Sequence, residues 1–129
     1  MVCLVFALPG FAQTSKPASR AQIAHGEYLV KGVGGCSDCH TPMNEKGEPI
    51  PGKWLQGAKL TFGPLTPMPA WAGTAPGIAG LPGWTTQQAV HLLATGLDRS
   101  GHPLRPPMPQ FRMNHSDAEA VVAYLKSLK

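Results

Sequence analysis

Cys36-Ser37-Asp38-Cys39-His40 decides how the chain is read. Two cysteines separated by two residues, with a histidine directly after, form the C-x-x-C-H signature of covalent haem attachment. The thiols of Cys36 and Cys39 add across the two porphyrin vinyl groups, and the short spacing lets one turn present both sulfurs to the same haem edge. His40 then reaches one face and ligates the iron through an imidazole nitrogen. Its other ring N–H is expected to donate to a backbone carbonyl, which fixes tautomer and ring orientation. The bend at Pro49-Ile50-Pro51-Gly52 is a reasonable place for that carbonyl.

Plainer readings of the cysteine pair are weaker. A thioredoxin-like dithiol needs a βαβ setting, and the flanking sequence offers no strand pattern. Half a zinc site would need a second pair of ligands, and no second cysteine pair exists. A structural disulfide across two intervening residues is uncommon.

Around the motif, 129 residues make one domain. The chain holds 15 Gly and 14 Pro, short of a disordered composition given 43% apolar residues. Only 7% are aromatic, so the protein core is thin and a large flat haem would supply the missing interior. The third cysteine, Cys3, lies in a segment expected to be removed, so no thiol remains for a disulfide framework. Val2 to Ala12 is uncharged and apolar, and the small residues Gly10 and Ala12 match a signal-peptidase site after Ala12. Residues 1–12 are therefore expected to be a signal peptide, although the usual basic start is missing. As a helix the run would measure roughly 16 Å, too short for the roughly 30 Å of membrane hydrocarbon. An uncleaved anchor is the alternative. Residues 13–19 read as a linker, and 20–129 as the haem domain.

Within that domain the spacing predicts three main helices. The first runs from Arg20 to about Lys31, with Ser19 as N-cap and Ile23, Gly26, Leu29 and Val30 along one stripe. Gly26 costs about 1 kcal/mol against alanine in a helix, a cost offset if it permits close approach of another element. Gly32, Gly34 and Gly35 end the helix and free the chain to turn into the motif. Thr85 opens the second helix through a capping box with Gln88; Ala89, Val90, Leu92 and Leu93 form its apolar face, and Gly96 stops it. The third begins with a capping box at Ser116-Asp117-Ala118-Glu119 and runs to about Leu128, with Ala118, Val121, Val122, Leu125 and Leu128 in register.

The connections are long. From Leu60 through Leu97 there is no Asp, Glu, Lys or Arg, and residues 61–83 hold five Gly and five Pro. Such a tract is too broken for a helix and too proline-rich for a central strand. Its apolar character suits a loop lying against the haem edge, with Trp54, Trp71 or Trp84 packing or donating an indole N–H to a propionate. No internal repeat stands out.

The remaining iron position decides the chemistry. A thioether raises the reduction potential and blocks small molecules. Met1 is in the exported segment and Met43 lies too near His40 to reach the opposite face. Met68 and Met108 each sit between prolines, which stiffen the chain and reduce the entropy lost on ligation. Chain order favours Met108, since a loop between the second and third helices can swing across the face opposite the motif. Met68, Met113, a histidine or an open position remain alternatives. His25, His91, His102 and His115 read as surface or packing residues.

With these residues in view, the chain resembles class I monohaem c-type cytochromes from about Ala21 to Leu128. Several stretches are similar to cytochrome c subunits associated with periplasmic dehydrogenases. They are Cys39-His40-Thr41-Pro42-Met43, Gly83-Trp84-Thr85, Thr95-Gly96, Leu104-Arg105-Pro106-Pro107-Met108-Pro109 and the helix Asp117 to Leu125. The resemblance implies an all-α cytochrome c fold with one covalently bound haem c, and Gly26 on the first helix meeting Tyr124 on the last. It also implies Met108 as axial ligand, and export, because haem is attached to such proteins outside the cytoplasm. The dehydrogenase subunits usually carry several haems, whereas one motif occurs here.

The expected function is a periplasmic one-electron carrier with cofactor-binding residues Cys36, Cys39, His40 and Met108, the last two on the metal. Electrons would pass from a dehydrogenase or other donor to an oxidase or reductase, by a free carrier or a subunit of a larger complex. No catalytic acid, base or nucleophile set is evident. Arg99, Arg105 and Arg112, with no acid between Arg99 and Ser116 and a net charge of +4, would steer an acidic partner. Nucleic acid is not expected. The competing classes are a haem enzyme or gas sensor with an open sixth site, and a thiol–disulfide oxidoreductase.

Overall fold

In a computed structural model the described residues are 16–129, so the expected signal peptide and the first part of the linker lie outside them. The order is α1 (Arg20–Tyr28), a π-helical turn (Leu29–Val33), α2 (Cys36–His40), β1 (Ala58–Lys59), β2 (Thr74–Ala75), α3 (Thr86–Thr95) and α4 (His115–Ser127). The strands form one short antiparallel ladder with Ala58 opposite Ala75 and Lys59 opposite Thr74. The all-α expectation therefore holds, with long loops between the helices.

Helix α1 starts as its sequence predicts, the Ser19 hydroxyl accepting the Gln22 amide at 3.1 Å. It ends differently. Instead of continuing as α-helix to Lys31 the backbone widens into a π turn, closed by the Gly34 amide on the Leu29 carbonyl at 2.7 Å. Helix α3 has the expected capping box: Thr85 Oγ1 accepts the Gln88 amide and Gln88 Oε1 accepts the Thr85 amide, both at 3.1 Å. Helix α4 corrects the reading of its start. Asn114, not Ser116, is the N-cap and accepts the Asp117 amide at 2.9 Å. Ser116 instead donates its hydroxyl to Asn114 Oδ1.

The most extensive helix pairing sets α1 across α4, and α3 packs on α4 from another side. Leu29, Val30, Leu55, Leu81, Val90 and Leu93 join Val121, Val122, Tyr124 and Leu125 in one buried cluster. The crossing is closest at Gly26, where a methyl group would stand 1.9 Å from the Ala120 carbonyl oxygen and 2.9 Å from Tyr124 Cβ. Tyr124 then accepts the Trp54 indole N–H on its hydroxyl at 3.0 Å. The Trp54 indole N–H is thus committed to α4 and not to a propionate. Trp71 meets Phe62 edge-on at 5.9 Å, and Trp84 lies beneath the Arg99 guanidinium at 4.4 Å.

A repeat invisible in the one-dimensional reading appears in two loops. Met43-Asn44-Glu45-Lys46-Gly47-Glu48-Pro49 and Leu97-Asp98-Arg99-Ser100-Gly101-His102-Pro103 are each closed by a bridge between first and last residues. In the first loop Asn44 Oδ1 accepts the Lys46 and Glu48 amides at 2.9 and 3.0 Å. In the second, Asp98 Oδ1 accepts the Ser100 and His102 amides at 2.8 and 3.0 Å. The glycines match as well, at φ of 77° and 78°. These amides, His102 first, hold the Asp98 carboxyl below the usual carboxylate range. The first loop follows His40 and the second leads toward Met108.

Replacing Gly26 by alanine gains about 1 kcal/mol of helix propensity but drives a methyl into fixed backbone. Overpacking of that kind sits at or above the top of a range of roughly 1–3 kcal/mol. The Gly26→Ala protein should be less stable by about 2 kcal/mol, read as a lower denaturant midpoint. A midpoint equal to or above the parent's would mean that the helices do not cross at this residue.

Candidate haem site

Helix α2 is one turn long, and Cys36 and Cys39 fall three residues apart, which places both thiols on one side of that turn. Both are free and half-buried. Burial pushes the thiol of Cys36 up, and burial likewise raises Cys39, with Asp38 adding to each. A redox-active dithiol needs the opposite shift. The upward shift of both thiols removes support from the oxidoreductase reading.

His40 is buried, at 7% exposure, on the last residue of the same turn. Its Nδ1 lies 2.7 Å from the Pro76 carbonyl oxygen. That carbonyl is the orienting partner, in the β2-to-α3 connection, and not part of the Pro49–Gly52 bend. With Nδ1 donating, Nε2 is the nitrogen left with a lone pair for a metal. Burial lowers the pKa of the imidazole, opposed by the Pro76 hydrogen bond, and this favours the neutral ring that ligation requires.

The segment that carries the Pro76 carbonyl is tied through Leu55 to the chain that follows α2. Thr41, 1% exposed, leaves α2 in an extended conformation, and its hydroxyl accepts the Leu55 amide at 3.0 Å. Leu55 is fully buried at a φ of 55°, a left-handed conformation that costs a residue with Cβ about 1–2 kcal/mol. Its carbonyl accepts the amides of Ile78 and Ala79 at 2.8 and 3.1 Å. The Gly57 amide donates to the His40 carbonyl at 2.7 Å.

Met108 lies in a loop fixed at both ends. Before it, Arg105 donates from Nε to the Ala70 carbonyl at 3.0 Å and from Nη2 to the Trp71 carbonyl at 2.7 Å. The Pro106 carbonyl accepts the Ala72 amide at 2.7 Å. After it, the ring of Phe111 stands within 3.7 Å of a methyl built on Gly34, directly before the cysteine turn, and the Met113 amide donates to the Leu93 carbonyl. Met108 is half-buried there. Met68 is 44% exposed and Met43 is 37% exposed, whereas Met113 packs against the helix core.

A cavity of about 570 Å³ borders Cys39, Met43, Ala58, Leu60 and Phe62 but touches neither His40 nor Met108. Its volume does not outline a haem; the donor set is the stronger guide. Two free thiols on one turn and a neutral imidazole with one nitrogen committed form the set that covalent haem attachment needs. Among the described residues no cluster of three or more His, Cys, Asp or Glu is arranged to hold a metal ion. Thr41, Leu55 and Pro76 carry no mark in the sequence as site residues. Pro76 acts through its carbonyl, which every residue type carries, so no sequence signal could have found it.

The cytochrome c family model matches residues 23–129. A "Diheme cytochrome c-type" protein of Cereibacter sphaeroides is 32% identical over 107 residues, covering 78% of this chain and 33% of its own length. A nicotinate dehydrogenase subunit of Pseudomonas putida is 30% identical over 118 residues, 88% of this chain and 10% of that relative. The chain thus spans a third or less of these curated relatives. With its single C-x-x-C-H turn inside the matched region and the helix pairing of α1 with α4, this chain belongs to the cytochrome c family, electron-transfer proteins with covalently bound haem c.

Proposed function

We propose that the chain is a periplasmic one-electron carrier in which Cys36 and Cys39 hold haem c through thioether bonds and His40 and Met108 are the axial ligands. When bound, the haem supplies an iron centre that alternates between ferric and ferrous states. The observation that carries the proposal is the 2.7 Å contact of His40 Nδ1 with Pro76, which leaves Nε2 as the ligating nitrogen. The anchoring of the Met108 loop supports the second ligand. A thioether between two prolines, on a loop tied down by Arg105 and Phe111, has little freedom left to lose on binding.

The residues of this chain bind and orient; none is called on to move a proton. His40 keeps one tautomer through Pro76, and burial favours its neutral form. With haem bound, His40 and Met108 would both hold the iron, which would keep small molecules off it. No helix among the described residues is long and apolar enough to cross a membrane. Likeness to a dehydrogenase subunit supports a dehydrogenase as electron donor; the acceptor we propose is an oxidase or reductase. It equally supports a second reading, in which the chain is the electron-transfer subunit of such a complex.

Arg99, Arg105 and Arg112 are all exposed in the segment around Met108. Arg105 spends its donors on backbone carbonyls, yet its charge stays on the surface and adds to the field of the others.

Met108→Ala should keep the covalent haem in a denaturing gel, lose the weak red absorption of an iron–thioether bond, and bind carbon monoxide rapidly when ferrous. Rapid binding by the unsubstituted protein would instead favour an open-site enzyme or sensor. Arg105→Ala should loosen the ligand loop, speeding hydrogen exchange at the Ala72 amide by about tenfold or more, since each of the two lost bonds from a charged group contributes about 1.5–3 kcal/mol. Reduction by an acidic donor should slow as salt shortens the screening length from roughly 30 Å to roughly 8 Å. A salt-independent rate would remove the steering role of the arginines.

A further inference from the structure

We infer that Thr41 is a positioning residue for His40, acting through the left-handed Leu55 on the segment that carries the Pro76 carbonyl. The role presupposes His40 as the iron ligand. Thr41 and Leu55 are both deeply buried, at 1% and 0% exposure. Thr41 Oγ1 accepts the Leu55 amide at 3.0 Å, and this bond fills an N–H that has no access to water. In that conformation the Leu55 carbonyl turns toward the 78–79 backbone and takes both amides. Two residues earlier in the same segment is Pro76, whose carbonyl receives His40 Nδ1.

The segment has no slack on its other side. A methyl on Gly57 would stand 2.7 Å from the Gly77 nitrogen and 2.9 Å from the Pro76 carbonyl carbon. One on Gly77 would stand 2.9 Å from the Gln56 carbonyl oxygen. The two backbones therefore lie face to face beside Pro76, and the β1–β2 ladder continues the contact through Ala58 and Ala75. Thr41 Oγ1, the Leu55 amide and carbonyl, the 76–79 turn and the imidazole form one closed path that starts and ends on adjacent residues of the chain.

Removing the hydroxyl leaves a buried N–H without an acceptor. Leu55 relieves it by leaving the left-handed region, which it occupies only under constraint. Its carbonyl then turns from Ile78 and Ala79, and Pro76 loses its fixed position. A weaker bond to Nδ1 gives a less electron-rich imidazole, which favours the ferrous state.

The test uses the haem-loaded full chain. Thr41→Val should raise the reduction potential and speed exchange of the His40 Nδ1 proton, seen by NMR in the reduced protein, by about tenfold or more, as expected for a lost buried hydrogen bond. Thr41→Ser, which keeps the hydroxyl, should restore both. Val122→Ala, a buried core change on α4 that removes no hydrogen bond of this path, should lower stability while leaving the potential unmoved. Equal potentials in Thr41→Val and the parent would overturn the role. So would independent exchange of the Leu55 amide and the His40 ring proton in the unsubstituted protein, a measurement that decides the matter even if Thr41→Val takes up no haem. A missing imidazole ligand would show separately, in the spectrum of the unsubstituted protein, and would count against the ligand assignment on which the role stands.

Discussion

The bond from His40 Nδ1 to the Pro76 carbonyl joins positions 36 residues apart and sets a demand on everything between them. A ring must be held in one tautomer and one orientation by a carbonyl on a loop, and a loop supplies no regular ladder to hold that carbonyl still. The chain meets the demand with main-chain contacts at close range: the Leu55 turn, the abutting Gly57 and Gly77, and a ladder of two residues per strand. The glycine and proline content of this region, which looks like weak structure in the sequence, is what allows backbones to approach so closely.

The helices solve a separate problem. With few aromatics, the core relies on one close crossing of α1 and α4, permitted by Gly26, and the Trp54–Tyr124 hydrogen bond ties the loop after α2 to the same helix α4. The uncharged tract from 60 to 83 is then tied to the Met108 loop through the backbone, by Arg105 and by the Pro106 carbonyl. That tract reads as loop in the sequence and is loop in the fold, apart from the short strand β2.

How legible each feature is follows from the range of its cause. The cysteine turn, the Ser19 cap and the Thr85–Gln88 box are local, so neighbouring side chains announce them. Gly26 is legible as a close approach because a glycine inside an apolar helical stripe needs a reason. The start of α4 is easily misplaced because Asn114 and Ser116 are both good caps; the Asn114 side chain reaches the Asp117 amide, and Ser116 is left to support it. The π turn and the left-handed Leu55 carry no compositional mark, since both arise from tertiary packing overriding local preference. For the carbonyl partner of His40 the sequence points to the nearest bend, whereas the true partner comes from a distant loop that only the folded chain brings near.

The twin loops at Asn44 and Asp98 have the same hydrogen-bond wiring but different chemistry at its centre. An amide oxygen closes one and a carboxylate closes the other. The carboxylate sits below its ordinary range, so the stabilisation it lends is present above the unfolded-state value and fades as pH falls through the lower folded one. The amide does not titrate. Acid therefore acts on one of two otherwise matched closures, loosening the loop that leads toward Met108 through Asp98 while the Asn44 wiring of the loop after His40 is left as it is.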